Sequence, residues 1–140
     1  MISPTGMGIR DDAGGSGHYG ARRGNRRHKG TDFKSKAGQN VVAPHDMEIV
    51  RLSLPMSKTY LSGIAFKTHA STGRIFYFDP DMALIGEKVK EGDVIGIAQD
   101  LQPHYTDDVG NHIHYQINSF DPMVFVCIEN NITGDWSLWK

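Results

Sequence analysis

The chain has 140 residues, 39% of them hydrophobic and 22% charged, with a formal net charge of -1. That length fits one compact domain, and the apolar stretches fall far short of the ~20 residues a membrane-spanning helix needs. The near-neutral balance gives no general attraction to nucleic acid or anionic membrane. The lone Cys127 excludes both an internal disulfide and a thiolate-built zinc site, so any metal must be held by His and carboxylate.

In chain order, residues 1–31 are rich in glycine and poor in apolar side chains, and residues 1–27 are expected to form an irregular N-terminal segment. Short β-branched or aromatic runs separated by turn signals follow, at Val41–Ala43, Glu48–Leu54, Gly63–His69, Arg74–Phe78, Val94–Ala98 and His112–Ile117. No window shows sustained helical periodicity, and Asp79–Ile85 has room for a single turn. An all-β fold built on antiparallel sheet is expected, because no crossover helices are present to cover a parallel one. Met123–Ile128 reads as an edge strand or packed strap, and residues 127–140 as a C-terminal tail with Trp136 and Trp139 as packing or docking anchors. Met1–Gly6 lacks the charged and apolar regions of a secretory signal, which predicts synthesis in a cytoplasm and delivery to any outside substrate by another route.

The chain carries seven histidines, and their spacing is informative. In a strand, residues two apart share a face, so His112 and His114 both reach one groove while Ile113 faces the opposite layer. His28 and Asp32 are four apart with Gly30 between them, so both can turn to one side of a bent backbone. Two imidazole nitrogens and a carboxylate oxygen from these stretches form a sound Zn²⁺ shell, with a fourth position left for water as in catalytic sites. The plain alternative is a set of solvated histidines. His18, His45, His69 and His104 have no spaced partners and are read as non-ligands, with His104 able to line the groove from its loop.

The two histidine stretches, taken in order, resemble the HxxxD and HxH motifs of the M23 zinc endopeptidases, the lysostaphin-like family. Further matches are Ile2-Ser3-Pro4 with Gly8-Ile9-Arg10, Ala37 to Pro44, the hairpin Lys88 to Gly96, and the strand Asn111 to Gln116. The resemblance spans residues 2 to 126. It implies a groove-forming antiparallel sheet, with zinc held by His28, Asp32 and His114 and with His112 as general base or transition-state donor. Family enzymes carry another catalytic histidine upstream of the hairpin. Here Ile75-Phe76-Tyr77-Phe78 occupies that region, and a gapless count puts Tyr77 in the slot, with Phe78 the alternative after a one-residue shift. Tyrosine can donate a hydrogen bond to an oxyanion but is no base near neutral pH. The segment also resembles the leukocyte cell-derived chemotaxin branch of the family, which lacks this histidine and acts in signalling.

The implied function is zinc-dependent cleavage of peptide cross-links or stem peptides in peptidoglycan, by a phage-encoded or virion-associated enzyme acting at the cell wall. Phage virion or tail proteins are then the expected partners, with no nucleic acid and no membrane. The alternative is a zinc-binding but weak or inactive M23 domain serving as a structural module, for example in a phage tail tip. Arg22, Arg23, Arg26, Arg27 and Lys29 put five positive charges within eight residues. A solvated or structural role is the first reading of that cluster, attraction to an anionic wall the second and phosphate-backbone contact the last. The Lys88–Gly96 stretch also resembles biotinyl or lipoyl carrier hairpins but lacks their modifiable tip.

Overall fold

A computed structural model describes residues 1–105 and 108–118. Thirteen strands are present among them: β1 (Asp11–Asp12), β2 (Gly15–Ser16), β3 (Arg22–Arg23), β4 (Arg26–Arg27), β5 (Thr31–Lys34), β6 (Asn40–Val42), β7 (Met47–Leu52), β8 (Gly63–Lys67), β9 (Thr72–Phe76), β10 (Phe78–Pro80), β11 (Lys88–Val89), β12 (Val94–Ala98) and β13 (His112–Ile117). The helical content of the described residues is one 3-10 turn, Met82–Leu84, started by the Asp81 carboxylate accepting from the Ala83 amide at 3.0 Å. The fold is antiparallel β, as the spacing predicts, and no described helix is long and apolar enough to cross a membrane.

The principal sheet has six strands in the order β11-β7-β8-β9-β13-β5, and a three-stranded sheet β10-β12-β6 accompanies it. Strand β13 shows why the sequence pattern was readable. Ile113 and Tyr115 are buried in the core, while His112, His114 and Gln116 occupy the opposite face. Its register with β5 sets Ile113 across from Phe33 and His114 across from Asp32. Ile113, Phe33, Tyr115 and Phe66 are almost fully enclosed, and each such side chain stabilises the fold by roughly 1.5–3 kcal/mol. The apolar face of β13 and β5 therefore fixes where the polar face presents its histidines and carboxylate.

Two expectations need correction, and one strand was not anticipated. Residues 1–27 are not irregular: they hold the hairpins β1–β2 and β3–β4, and the intervening backbone pairs with β5 through Arg10 N–H to Asp32 O (2.8 Å) and Asp32 N–H to Gly17 O (2.8 Å). Two-residue strands of charged, polar or glycine residues carry no hydrophobic alternation, so turn chemistry and hydrogen bonds define them. Strand β5 itself has no counterpart among the sequence-predicted runs. The aromatic run Arg74–Phe78 is split, with β9 ending at Phe76 and β10 beginning at Phe78 in the other sheet. Tyr77 makes the change of sheet at φ 79°, a left-handed backbone that is rare for a bulky residue. Met123–Ile128, Cys127, Trp136, Trp139 and the tail 127–140 lie outside the described residues.

Candidate metal centre

His28, Asp32 and His114 converge, as the motif spacing predicts. His114 Nδ1 lies 2.8 Å from Asp32 Oδ1, His28 Nε2 lies 3.2 Å from the same oxygen, and the two ring nitrogens are 3.2 Å apart. The outer nitrogen of each ring faces an acceptor: His28 Nδ1 is 3.1 Å from the His18 carbonyl, and His114 Nε2 is 3.2 Å from Gln116 Oε1. If the outer nitrogens donate their protons there, both inner nitrogens present lone pairs toward Asp32 Oδ1. Three lone-pair atoms facing one another repel unless a cation or a shared proton stands between them.

The spacing fits zinc. Bonds of about 2.0–2.1 Å in a tetrahedral shell put neighbouring ligand atoms about 3.3 Å apart, close to the triangle formed here. The other oxygen of Asp32 is held by Arg10, whose Nη2 and Nε lie 3.3 and 3.4 Å from Oδ2. Arg10 is itself buried and pairs with Asp12 at 2.6 Å. That arrangement leaves Oδ1 as the carboxylate's metal-facing atom. Burial pushes the Asp32 pKa up, but where a proton instead of a cation stands between these atoms, hydrogen bonds from His114 and His28 outweigh it and hold the carboxyl well below its usual range.

His112 stands beside the triad, its Nε2 3.8 Å from Asp32 Oδ2. Its Nδ1 donates to the Gly110 carbonyl at 2.8 Å, which assigns the lone pair to Nε2. Burial lowers its pKa, and the Asp32 charge and the Gly110 hydrogen bond only partly oppose this. A neutral imidazole near pH 7 is thus able to accept a proton. The Tyr77 ring packs edge-on against His112 with centroids 5.1 Å apart, and its hydroxyl meets that of Tyr105 at 3.0 Å. Phe78 is fully buried in the core, so Tyr77 and not Phe78 reaches the cleft. Burial first, then the Tyr105 hydrogen bond and the Asp32 charge, push the Tyr77 phenol far above its usual pKa and keep it protonated.

A cleft of about 410 Å³ contains these groups and is also lined by Arg23, Arg26, Arg27, Lys29 and Tyr105. His18 meets the site through its carbonyl, and His45 hydrogen-bonds the Tyr115 hydroxyl at 2.9 Å. His69 lines a different cleft, and His104 packs on Tyr105 with centroids 4.9 Å apart without joining the metal cleft's lining. Sequence reasoning assigned no role to Arg10, Gln116 or Tyr105. The opening Gly8-Ile9-Arg10 match and the even spacing of His112, His114 and Gln116 were the available signals for the first two.

Comparison with known proteins agrees with this geometry. The model of peptidase family M23 matches residues 26–124. Mouse leukocyte cell-derived chemotaxin-2 is 30% identical over 118 residues, covering 82% of this chain and 76% of that protein. Two solved structures share the fold. The catalytic domain of the prophage-encoded M23 protein EnpA from Enterococcus faecalis, solved as a point mutant, has a TM-score of 0.57 at 20% identity, over 75% of this chain and 79% of that one. The catalytic domain of the antimicrobial peptidase lysostaphin from Staphylococcus simulans has a TM-score of 0.54 at 24% identity, over 79% and 87%. With more than half its length matched by the family model and its three ligand-type side chains assembled at one point, the chain belongs to peptidase family M23.

Proposed function

We propose that the protein is a zinc-dependent endopeptidase cutting peptide bonds in the cross-links or stem peptides of bacterial peptidoglycan. The observation that carries this is the triangle of His28 Nε2, His114 Nδ1 and Asp32 Oδ1 at the floor of an open cleft, with His112 Nε2 beside it. His28, Asp32 and His114 would hold the zinc, which when bound would supply a Lewis acid able to acidify a water toward a pKa of ~7. The chain's own residues do the rest. Arg10 fixes the Asp32 carboxylate so that one oxygen points into the triad. The His18 carbonyl and the Gln116 amide oxygen orient the two ligand rings. His112, neutral and oriented by Gly110, takes the proton of the attacking water at Nε2 and returns it to the leaving amine. Tyr77, permanently protonated, donates its hydroxyl hydrogen to the oxygen on which negative charge develops.

A weakly active or inactive metal-binding module is the second reading, favoured by one specific observation: Tyr77, which cannot act as a base, stands against His112 where the family resemblance implies a second histidine. A muropeptide-release assay with purified chain separates the two. Wall cleavage that is abolished by chelator and restored by zinc supports the enzyme, and bound zinc without cleavage supports the module. The proposed setting is a phage-borne or virion-associated protein, with residues 1–140 working as one M23-type unit at the cell wall. Its presence in purified particles would test that setting.

A further inference from the structure

The hairpin β3–β4 is electrostatically unusual. Its register pairs Arg22 with Arg27 and Arg23 with Arg26, so both cross-strand pairs juxtapose like charges, an arrangement that destabilises a two-stranded ribbon. Gly24 at φ 60° makes the tight turn that brings the two arginine pairs into register. Arg23 is anchored by donating to the Ser16 carbonyl at 2.7 Å, which leaves its Nη2 3.9 Å from Asp32 Oδ2. Among the described residues no carboxylate lies within ion-pair distance of Arg22, Arg26, Arg27 or Lys29. The Asp32 charge is already met by Arg10. Among the described residues the charges of Arg22, Arg26, Arg27 and Lys29 therefore meet no carboxylate, and Arg23, Arg26, Arg27 and Lys29 line the same cleft that holds the triad.

We propose that this wall is a subsite for a free carboxylate of the substrate, so that the chain selects peptides bearing an unamidated acidic group close to the bond that is cut. This rests on the endopeptidase reading and adds to it the charge of the substrate. The cations line the cleft that holds the triad, Arg26, Arg27 and Lys29 as exposed side chains, and do not sit on a remote face, which favours a group carried by the substrate itself. Guanidinium forks match the planar carboxylate in a bidentate way, and such bonds are stronger than neutral ones. Binding the anion also relieves the repulsion between the paired arginines.

The test uses two muropeptide-like peptides, identical except that one has free side-chain and α-carboxylates and the other carboxamides. Each is titrated into metal-free protein to measure binding and into the zinc-loaded protein to measure kcat/KM. The wild-type chain should prefer the carboxylate peptide by about tenfold or more in both readouts. In R26Q/R27Q that preference should collapse toward unity, R26K/R27K should restore part of it, and neither variant should melt below the wild-type chain. Equal use of the two peptides by the wild-type chain would overturn the proposal while leaving the endopeptidase reading intact. A preference that survives in R26Q/R27Q would also overturn it. So would indifference to both peptides accompanied by Arg-dependent binding of a glycerol-phosphate polymer, since the wall would then recognise phosphate. A carboxylate preference in binding with no cleavage of either peptide would sustain the subsite and defeat the endopeptidase reading.

Discussion

Gly30 lies between the two ligands of the first motif, and its replacement by alanine is the sharpest test of how tightly the fold holds the site. A Cβ placed on Gly30 would sit 2.3 Å from the Tyr115 carbonyl oxygen, 2.7 Å from His114 Cε1 and 2.8 Å from His114 Nε2. Ordinary contact begins at 3.4 Å, so the backbones leading into β5 and β13 must part by about 1 Å, and the His114 ring must move with its backbone or turn as well. Parting the backbones resembles overpacking in a core and costs roughly 1–3 kcal/mol. Either response moves His114 Nδ1 by more than the ~0.2 Å within which metal–ligand distances are held. Gly30→Ala should therefore lose stability by that amount in urea titration. It should also bind zinc about 10–100-fold more weakly in competition with a chromophoric chelator, comparable to losing a group that orients a ligand. A variant with unchanged midpoint and unchanged zinc affinity would refute the close approach of Gly30 to His114.

Further outcomes follow from the same geometry. Arg10→Met leaves the Asp32 and Asp12 carboxylates without their shared buried cation, and chemical denaturation should show a loss of about 3–5 kcal/mol. His112→Ala should keep the wild-type zinc content by elemental analysis while its rate falls about 10²–10⁴-fold. Tyr77→His should raise muropeptide release if the missing second histidine limits turnover, and an unchanged rate would remove Tyr77 from that role. Burial lowers the His45 pKa from 6.5 despite the Asp46 carbonyl and nearby acidic charges. The unfolded chain then binds more protons on this group, so its contribution is fully present above pH 6.5 and is lost as pH falls from there toward the folded value. Denaturation midpoints between pH 7 and 5 should accordingly fall less steeply in His45→Gln than in the wild-type chain.

How much of this was readable in advance depended on whether burial leaves a pattern in the sequence. Strand β13 was legible to the residue because Ile113 and Tyr115 alternate with His112 and His114, and the same alternation put both histidines on one face. Val94–Ala98 was equally clear. The hairpins of residues 11–27 were not, since their strands are two residues long and polar, with little apolar side chain to bury. Arg10 could not be paired with Asp32 without knowing the register of the N-terminal backbone on β5, which rests on main-chain bonds that almost any residue could make. The left-handed backbone at Tyr77, which breaks the aromatic run and turns the ring toward His112, has no signature in a stretch that otherwise favours strand. Metal ligands were readable because their chemistry restricts residue type and spacing together. Their supporting groups were not, because a carbonyl from His18 or an amide from Gln116 carries no such restriction.

The central claim is that two distant stretches of chain form one metal site, and zinc stoichiometry by elemental analysis, measured on the wild-type chain and on Asp32→Ala and His114→Ala after dialysis against trace zinc, tests it most directly. The account predicts one zinc per wild-type chain and none retained by either variant, with all three chains folded by circular dichroism. A wild-type chain that retains no zinc, or variants that retain as much as the wild type, would contradict it.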